Sequence, residues 1–213
     1  MFIGHAALAL AARPLAPRAN LGVALAATFW LDLVWPILLL VGIERVEIDP
    51  GNTAFTPLDF VHYPWTHSLT AALAWSALFA LACWKLGRRA ALVMGVLVFS
   101  HWALDALSHR PDLPLWPGSH AMIGLGLWNS VAGTLLVESA LFAAGIVVYL
   151  RNSAKAALAF WLLIGFFVLA YLGAAFGPPP PNPTAVAASA LALWLLPVWG
   201  WWIERHRGEL RRN

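Results

Sequence analysis

"AALAFWLLIGFFVLAYLGAAF", residues 156–176, is an apolar run of 21 residues that contains no charged side chain. A helix needs roughly 20 apolar residues to cross a hydrocarbon core about 30 Å thick, so this run is long enough to span a bilayer. Other runs of comparable length lie between polar loops. The predicted spans are residues 20–43, 66–86, 90–108, 128–150, 156–176 and 184–203. The sequence therefore predicts an all-α integral membrane protein with about six transmembrane helices.

The composition supports this fold class and excludes others. Of 213 residues, 61% are hydrophobic and 11% are charged, which differs from the balance of soluble domains. The net charge of +3 does not indicate nucleic-acid binding, because the basic residues are scattered over short loops. The single cysteine, Cys83, rules out an intrachain disulfide and a thiolate cluster, so a metal site would need histidine and carboxylate ligands. The predicted partner is the lipid bilayer.

Basic residues mark every second connection between the predicted spans. Lys and Arg collect on the cytoplasmic side of membrane proteins, so these connections are expected to be cytoplasmic. They contain Arg13 and Arg18; Lys85, Arg88 and Arg89; Arg151 and Lys155; and Arg205, Arg207, Arg211 and Arg212. We therefore expect the loops 44–65 and 109–127 on the extracytoplasmic side and the C-terminus in the cytoplasm.

The N-terminal segment "MFIGHAALALAARPLAPR", residues 1–18, is apolar but too short to span. It also lacks the basic start of a secretory signal. We interpret it as a short half-inserted helix that is retained in the mature protein. The alternative is an atypical cleaved signal, which would remove His5.

Several ionisable residues fall inside apolar segments, where each is costly and therefore a functional hypothesis. Counted from the basic loops at 1.5 Å per residue, they lie about 12–27 Å deep, in the middle and outer part of the bilayer. They are His5, Asp32, His67, His101, Asp105 and Glu138, with His62 just outside. We expect these side chains to converge on one polar pocket that opens to the extracytoplasmic side, with Glu138 on its wall.

Two short motifs carry most of the local signal. In "HWALD", residues 101–105, the i, i+4 spacing places His101 and Asp105 on one helical face, where both can reach one cation. The alternative is a plain hydrogen bond on a helix surface, which the cost of a buried pair in a membrane disfavours. In "HYPWTHSL", residues 62–69, Pro64 separates a loop histidine, His62, from His67 at the start of a helix. The alternative is that both histidines are loop residues without a functional role.

The acidic residues outside these motifs are Asp32 and Glu138. Asp32 lies in "TFWLDLVWP", residues 28–36, in which Pro36 is expected to kink the helix. A carboxylate in these surroundings must be protonated, paired or metal-bound. Either Asp32 or Glu138 could serve as a general base, and a helix-packing hydrogen bond is the alternative for Glu138.

Four motifs together resemble a known family. Gly4-His5, Asp32, "HYPWTHSL" and "SHWALDALSHRPDLPLWPG" (residues 100–118) are similar to the bacterial inner-membrane family of metal-dependent hydrolases, the LexA-regulated, YdjM-like group. The resemblance covers roughly residues 1–120 and implies a multi-pass inner-membrane location. It also implies a set of metal ligands, which are His5, Asp32, His62, His67, His101 and Asp105.

The chain departs from the family pattern in two places. Tyr63-Pro64 replaces an Arg-Gly pair, and Leu31-Asp32-Leu33 lacks one acid and one histidine of a "PDxDH" segment. Helix-borne His and Asp ligands are also distantly similar to zinc-dependent phospholipase C, as an analogy of fold. We expect one membrane domain over residues 1–213, with the metal site in about 1–140 and a helical C-terminal portion in about 150–204.

The leading hypothesis is a membrane-embedded metal-dependent hydrolase. Histidine and carboxylate ligands suit Zn²⁺, with Mn²⁺ or Fe²⁺ as alternatives, and a metal-activated water would attack an ester or phosphoester in a lipid-like substrate. A second hypothesis is a small transporter or proton-coupled permease whose intramembrane His, Asp and Glu residues form a relay. A third is a membrane scaffold with a structural metal site. Serine hydrolysis is disfavoured because the sequence contains no G-x-S-x-G.

Overall fold

A computed structural model describes residues 1–153 and 158–205, and 68% of it is helical. Lys155, Arg207, Arg211 and Arg212, which contributed to the predicted orientation, lie outside the described residues. The α-helices are α1 (Ile3–Ala11), α2 (Leu21–Thr28), α3 (Trp30–Leu40), α4 (Pro64–His67), α5 (Leu69–Ala82), α6 (Arg88–Ser108), α7 (Val131–Arg151), α8 (Leu158–Phe176), α9 (Pro183–Leu191) and α10 (Leu195–Arg205).

Two short antiparallel hairpins lie in the loops that were predicted to be extracytoplasmic. In the first, β1 (Arg45–Ile48) pairs with β2 (Leu58–His62). In the second, β3 (Leu113–Pro114) pairs with β4 (Met122–Ile123). The first hairpin lies between α3 and α4, and the second lies between α6 and α7. The two hairpins cover the same end of the bundle.

The structure confirms several membrane-spanning helices. Among the described residues, α6, α7, α8 and the continuous stretch Pro183–Arg205 are long and apolar enough to cross a bilayer, and α2 with α3 forms a fifth span if the bent pair counts as one. The predicted span 66–86 corresponds mainly to α5, whose 14 residues are fewer than the usual 20 or so. The count of six and the half-inserted α1 stay predictions.

The bend between α2 and α3 lies at Phe29 and measures 56°. The sequence placed a kink at Pro36, but α3 continues through this proline to Leu40. The aromatic ring of Phe29 is fully buried and packs against Phe2 and Phe167, with ring centroids 6.0 Å away in each case. The bend therefore lies at a buried aromatic contact and not at the proline.

Helix α1 is a core helix, with seven of its nine residues buried. Its closest approach is to α7, where a Cβ atom on Gly145 would come within 2.5 Å of the Ala7 carbonyl oxygen. On the other side, α2 lies between α6 and α10, and a Cβ on Gly22 would come within 2.2 Å of the Pro197 carbonyl oxygen. Glycine at these two contacts allows the backbones of α1 and α7, and of α2 and α10, to approach closely. Helix α1, which carries His5, is therefore packed in the interior.

Candidate metal centre

Five of the six predicted ligands meet in the interior, from four different helices. His5 comes from α1, Asp32 from α3, His67 from α4, and His101 and Asp105 from α6. Their donor atoms form two overlapping groups, one of His5, His101 and Asp105 and the other of Asp32, His67 and His101, with all atoms in each group within 4.8 Å of one another. His101 belongs to both groups and is the centre of the cluster.

The tautomer of His101 is set by the backbone. Its Nδ1 lies 2.7 Å from the carbonyl oxygen of Thr28, and because a carbonyl can only accept, Nδ1–H is the donor. The Nε2 lone pair is then directed at carboxylates, 3.1 Å from Asp105 Oδ2 and 3.6 Å from Asp32 Oδ1. This Nε2 is buried and has no hydrogen-bond partner in the part of the chain that is described. An imidazole anchored through Nδ1 with a free Nε2 is the arrangement of a metal-ligating histidine.

His67 is anchored in a similar way through a side chain. Its Nδ1 lies 2.7 Å from Thr66 Oγ1, and the Thr66 hydroxyl donates to Glu44 Oε2 at 2.7 Å. Because the hydroxyl proton is directed at Glu44, the Thr66 oxygen accepts the Nδ1–H of His67. The His67 Nε2 is left facing Asp32 Oδ1 at 3.5 Å and Asp105 Oδ2 at 3.7 Å.

Glu44 fixes the start of α4 and was not singled out by the sequence. Its Oε1 accepts the backbone N–H groups of Trp65 and Thr66 at 2.8 and 2.9 Å. Burial raises the pKa of the Glu44 carboxyl, and the nearby His67 and the hydrogen bonds from Thr66 and Trp65 oppose that rise. The only sequence signal was its place in the acidic loop before "HYPWTHSL", since no local spacing links residue 44 to residue 66.

His5 completes the cluster from the side of α1. Its ring stacks on that of His101, with centroids 3.7 Å apart and planes inclined by 4°, and its Nε2 lies 3.2 Å from Asp105 Oδ1. Neither ring nitrogen of His5 has a hydrogen-bond partner among the described residues. The nitrogen of Met1 lies 2.5 Å from the same Asp105 oxygen and 3.1 Å from Ser108 Oγ. Asp105 is therefore surrounded by nitrogen atoms from α1, α4 and α6.

Glu138, predicted on the wall of the pocket, is fully buried in α7 and contacts the backbone of α1. Its Oε2 accepts the N–H groups of Phe2 and Gly4 at 2.8 and 3.1 Å. A carboxylate at a helix N-terminus interacts favourably with the unpaired N–H groups and the helix dipole. In this structure Glu138 holds the helix that carries His5.

The structure does not bring His62 to the cluster. His62 is exposed at the end of β2, with its Cα paired with that of Arg45. Val61 and His62, the last two residues of β2, are both exposed, and the chain turns inward only at Tyr63, which precedes α4, is buried and donates its hydroxyl to Asp112 Oδ1 at 2.7 Å. Burial raises the pKa of the Tyr63 phenol well above its usual value, with the Asp112 carboxylate adding to the effect.

A cavity of about 160 Å³ opens beside the cluster. Its polar residues include Asp32, His67, Asp105 and His109, and the His109 Nδ1 lies 2.9 Å from Asp112 Oδ1. The apolar lining consists of Trp35, Leu58, Phe60, Trp128, Ala190 and Leu193. The polar cluster is thus reached through a mainly aromatic and aliphatic wall.

The residues present fit a divalent cation. Two imidazoles are anchored at Nδ1 and present Nε2 to carboxylates, and a third has both nitrogens without a hydrogen-bond partner among the described residues. Nitrogen and oxygen donors of these types are those that Zn²⁺ and related ions prefer in proteins. A bound cation would also compensate two carboxylates that are otherwise costly in a low-dielectric interior.

Comparison of the sequence with known families identifies the family of the chain. The family model described as "YdjM inner membrane protein" matches residues 1–177. No curated protein and no solved structure matches the chain significantly, so the likeness to zinc-dependent phospholipase C stays a prediction. The chain belongs to the YdjM inner membrane protein family, and with its several apolar helices it is a multi-pass inner-membrane protein.

Proposed function

We propose that this member of the YdjM inner membrane protein family is a membrane-embedded metal-dependent hydrolase. One observation carries the proposal: the Nε2 atoms of His67 and His101 both face the carboxylates of Asp32 and Asp105, while each Nδ1 is held by a separate partner. Any buried histidine needs an acceptor for its N–H, but these two also turn the opposite nitrogen toward two carboxylates. Ligand sites have this arrangement, because the nitrogen that binds the cation must be free of its proton.

In this proposal His5, Asp32, His67, His101 and Asp105 hold the metal, with Zn²⁺ favoured and Mn²⁺ or Fe²⁺ as alternatives. A divalent metal bound there would lower the pKa of a water molecule toward 7 and polarise an ester or phosphoester. The chain's own residues set the imidazole orientations, exclude bulk water from the cluster and accept a proton.

Asp32 is the better candidate for the general base. It lines the cavity and its side chain keeps 24% of its surface exposed, whereas Glu138 is fully buried with one oxygen engaged by two N–H groups of α1. A base must reach the proton that it removes, directly or through one water. Asp32 Oδ1 faces the imidazoles and would bind the metal, so we assign the proton transfer to Asp32 Oδ2 and the positioning of His5 to Glu138.

The cavity wall favours a substrate with an apolar portion. Trp35, Phe60 and Trp128, together with Leu58, Ala190 and Leu193, line the cavity beside the polar cluster, and a lining of this kind can accommodate an apolar part of a ligand. Together with the location in a membrane, this supports a lipid-like ester or phosphoester as the substrate class.

The test measures metal content and hydrolysis on the same samples. Detergent-purified protein should contain a stoichiometric divalent metal and hydrolyse chromogenic short-chain ester or phosphoester probes, and His101→Ala should lose both. The matched control is His62→Ala, which removes an exposed histidine outside the cluster. The proposal would be overturned if wild-type protein purified without chelator contained no metal and did not bind added Zn²⁺, Mn²⁺ or Fe²⁺. Metal content without hydrolysis would instead favour the scaffold with a structural site.

We also propose the six-span topology, with α1 half-inserted, the loops 44–65 and 109–127 outside and the C-terminus cytoplasmic. A labelling experiment in a Cys83→Ala background tests it with an impermeant thiol reagent. Ala54→Cys, exposed in the first of these loops, should react from outside, and Arg151→Cys should react only after permeabilisation. The opposite pattern would reverse the orientation without affecting the metal site.

A further inference from the structure

A basic cavity lies at the other end of α6 from the metal centre. Its volume is about 270 Å³, and it forms where the α1–α2 connection meets the turn that precedes α6. The charged residues of its lining are Arg18, Arg88 and Arg89, and all three are exposed. A Cβ on Gly87 would come within 3.0 Å of Arg18 Nη1, and this glycine has a φ of +97°. Glycine therefore lets Arg18 lie over the turn beside the other two arginines.

These arginines are not neutralised within the described part of the chain. Within residues 1–153 and 158–205, no acidic residue lines the cavity and no ion pair joins Arg18, Arg88 or Arg89 to a carboxylate. Arg13, five residues before Arg18, provides the contrast, because its Nε lies 3.5 Å from Glu204 Oε1. The cavity is thus complementary to an anion.

An apolar groove continues from the basic cavity along the bundle. The two share Leu15, and the groove has a volume of about 340 Å³. Its remaining lining residues are Leu8, Ala11, Ala12, Leu92, Val93, Val96, Leu97 and Ser100. Leu92 and Val96 are 56% and 65% exposed, so the groove is open along its length.

The dimensions match one lipid. From Arg88 to Ser100 the rise along α6 is about 18 Å, and one leaflet contributes about half of a hydrocarbon core that is about 30 Å thick. A ligand with its anionic group at the arginines would therefore have its apolar part along the groove at the depth of the acyl chains. Basic pockets between transmembrane helices bind anionic lipid headgroups by the same combination of contacts.

We propose that an anionic phospholipid binds this groove, with its phosphate group at Arg18, Arg88 and Arg89 and one acyl chain between α1 and α6. The assignment is independent of the hydrolase proposal, since none of its residues belongs to the metal centre. Because α1 carries His5 and α6 carries His101, a lipid held between these helices would brace the two elements that bring the stacked imidazoles together.

Native mass spectrometry and thermal unfolding of the delipidated full-length protein in detergent test the proposal. The probes are phosphatidylglycerol, phosphatidylcholine and glycerol 3-phosphate. Wild-type protein should bind phosphatidylglycerol with saturation and unfold at a higher temperature in its presence. Arg88→Gln/Arg89→Gln should lower the affinity by about 25-fold, about fivefold for each basic residue at a membrane surface.

The control Arg45→Gln/Arg151→Gln removes the same charge outside the groove and should leave the affinity unchanged. Val96→Trp fills the apolar part without altering charge, so it should weaken phosphatidylglycerol binding even if the arginine variant does not fold. Equal affinity of the arginine variant and wild type would overturn the proposal. Equal stabilisation by glycerol 3-phosphate would also overturn it, because the ligand would then be a soluble phosphoester. Equal binding of phosphatidylcholine would overturn it as well, because the arginines would then not select a net negative charge.

Discussion

The ionisable side chains at the two ends of α6 differ in burial and in pairing. At one end His101 and Asp105 are buried, and each has partners from other helices within 3.6 Å. At the other end Arg88 and Arg89 are exposed and have no carboxylate partner in the described part of the chain. Helix α6 is continuous over 21 residues, and its segment between Arg89 and His101 contains no charged residue.

The difference follows from the surroundings of each end. A charge in the membrane interior must be paired or bind a cation, since removing one partner of a buried pair leaves an uncompensated charge. A charge at the membrane surface is solvated, so it can remain without a protein partner and can bind a ligand or an anionic lipid. Changes at the buried end should therefore destabilise the protein itself, and changes at the exposed end should alter only what it binds.

The largest effect should come from Asp105→Ala. This change leaves the nitrogens of Met1, His5 and His101 without their shared carboxylate, so unfolding in detergent should require about 3–5 kcal/mol less free energy. Denaturant unfolding followed by tryptophan fluorescence measures it. A stability equal to that of wild type would contradict the role of Asp105 as the carboxylate that these nitrogens share.

Glu44→Gln should affect metal affinity more than stability. An amide in place of the carboxylate weakens the hydrogen bonds that hold Thr66, and with them the orientation of His67, so affinity should fall by about 10–100-fold, as for other outer-shell partners of metal ligands. Competition with a fluorescent chelator gives the affinity. Glu47→Gln in the same hairpin is the control, because Glu47 is exposed, and an equal loss in both variants would remove Glu44 from the site.

Glu138→Gln should have a moderate effect on the anchoring of α1. The amide accepts more weakly from the Phe2 and Gly4 N–H groups, and the loss of a charge-assisted hydrogen bond at a helix N-terminus should reduce stability by about 1–2 kcal/mol. Hydrogen exchange should show faster exchange at these two amides. Unchanged exchange would mean that α1 is held by its packing on α7 alone.

The smallest effect on stability should come from Arg88→Gln/Arg89→Gln in lipid-free detergent. Exposed side chains without partners contribute little, so the free energy of unfolding should remain within about 0.5 kcal/mol of wild type. The same denaturant titration measures it. A loss comparable to that of Asp105→Ala would abolish the contrast between the two ends of α6.

The sequence predicted those parts of the molecule that depend on local patterns. Apolar runs identified the long spans, and i, i+4 spacing placed His101 and Asp105 on one face, as the structure also has them. Depth estimates from helical rise were enough to group His5, Asp32 and His67 with them.

Features that depend on contacts between distant segments could not be predicted. Glu44 reaches Thr66 across a hairpin, and Glu138 reaches the backbone of α1 from α7, with no periodicity to relate these positions. His62 was placed with the ligands because the motif treated both histidines alike. In the structure β2 ends at His62 with this side chain exposed, and the chain turns inward only at Tyr63, where α4 is about to begin.

The bend at Phe29 links the shape of one helix to the protonation of another. Because α2 ends at Thr28, the carbonyl of this residue is available to His101 Nδ1 rather than to an amide of a continuous helix. Straightening α2 and α3 into one rod would return that acceptor to the backbone and release the imidazole to rotate or to exchange its tautomer. The bend in one transmembrane segment thus determines which ring nitrogen carries the proton in a histidine 73 residues further along the chain.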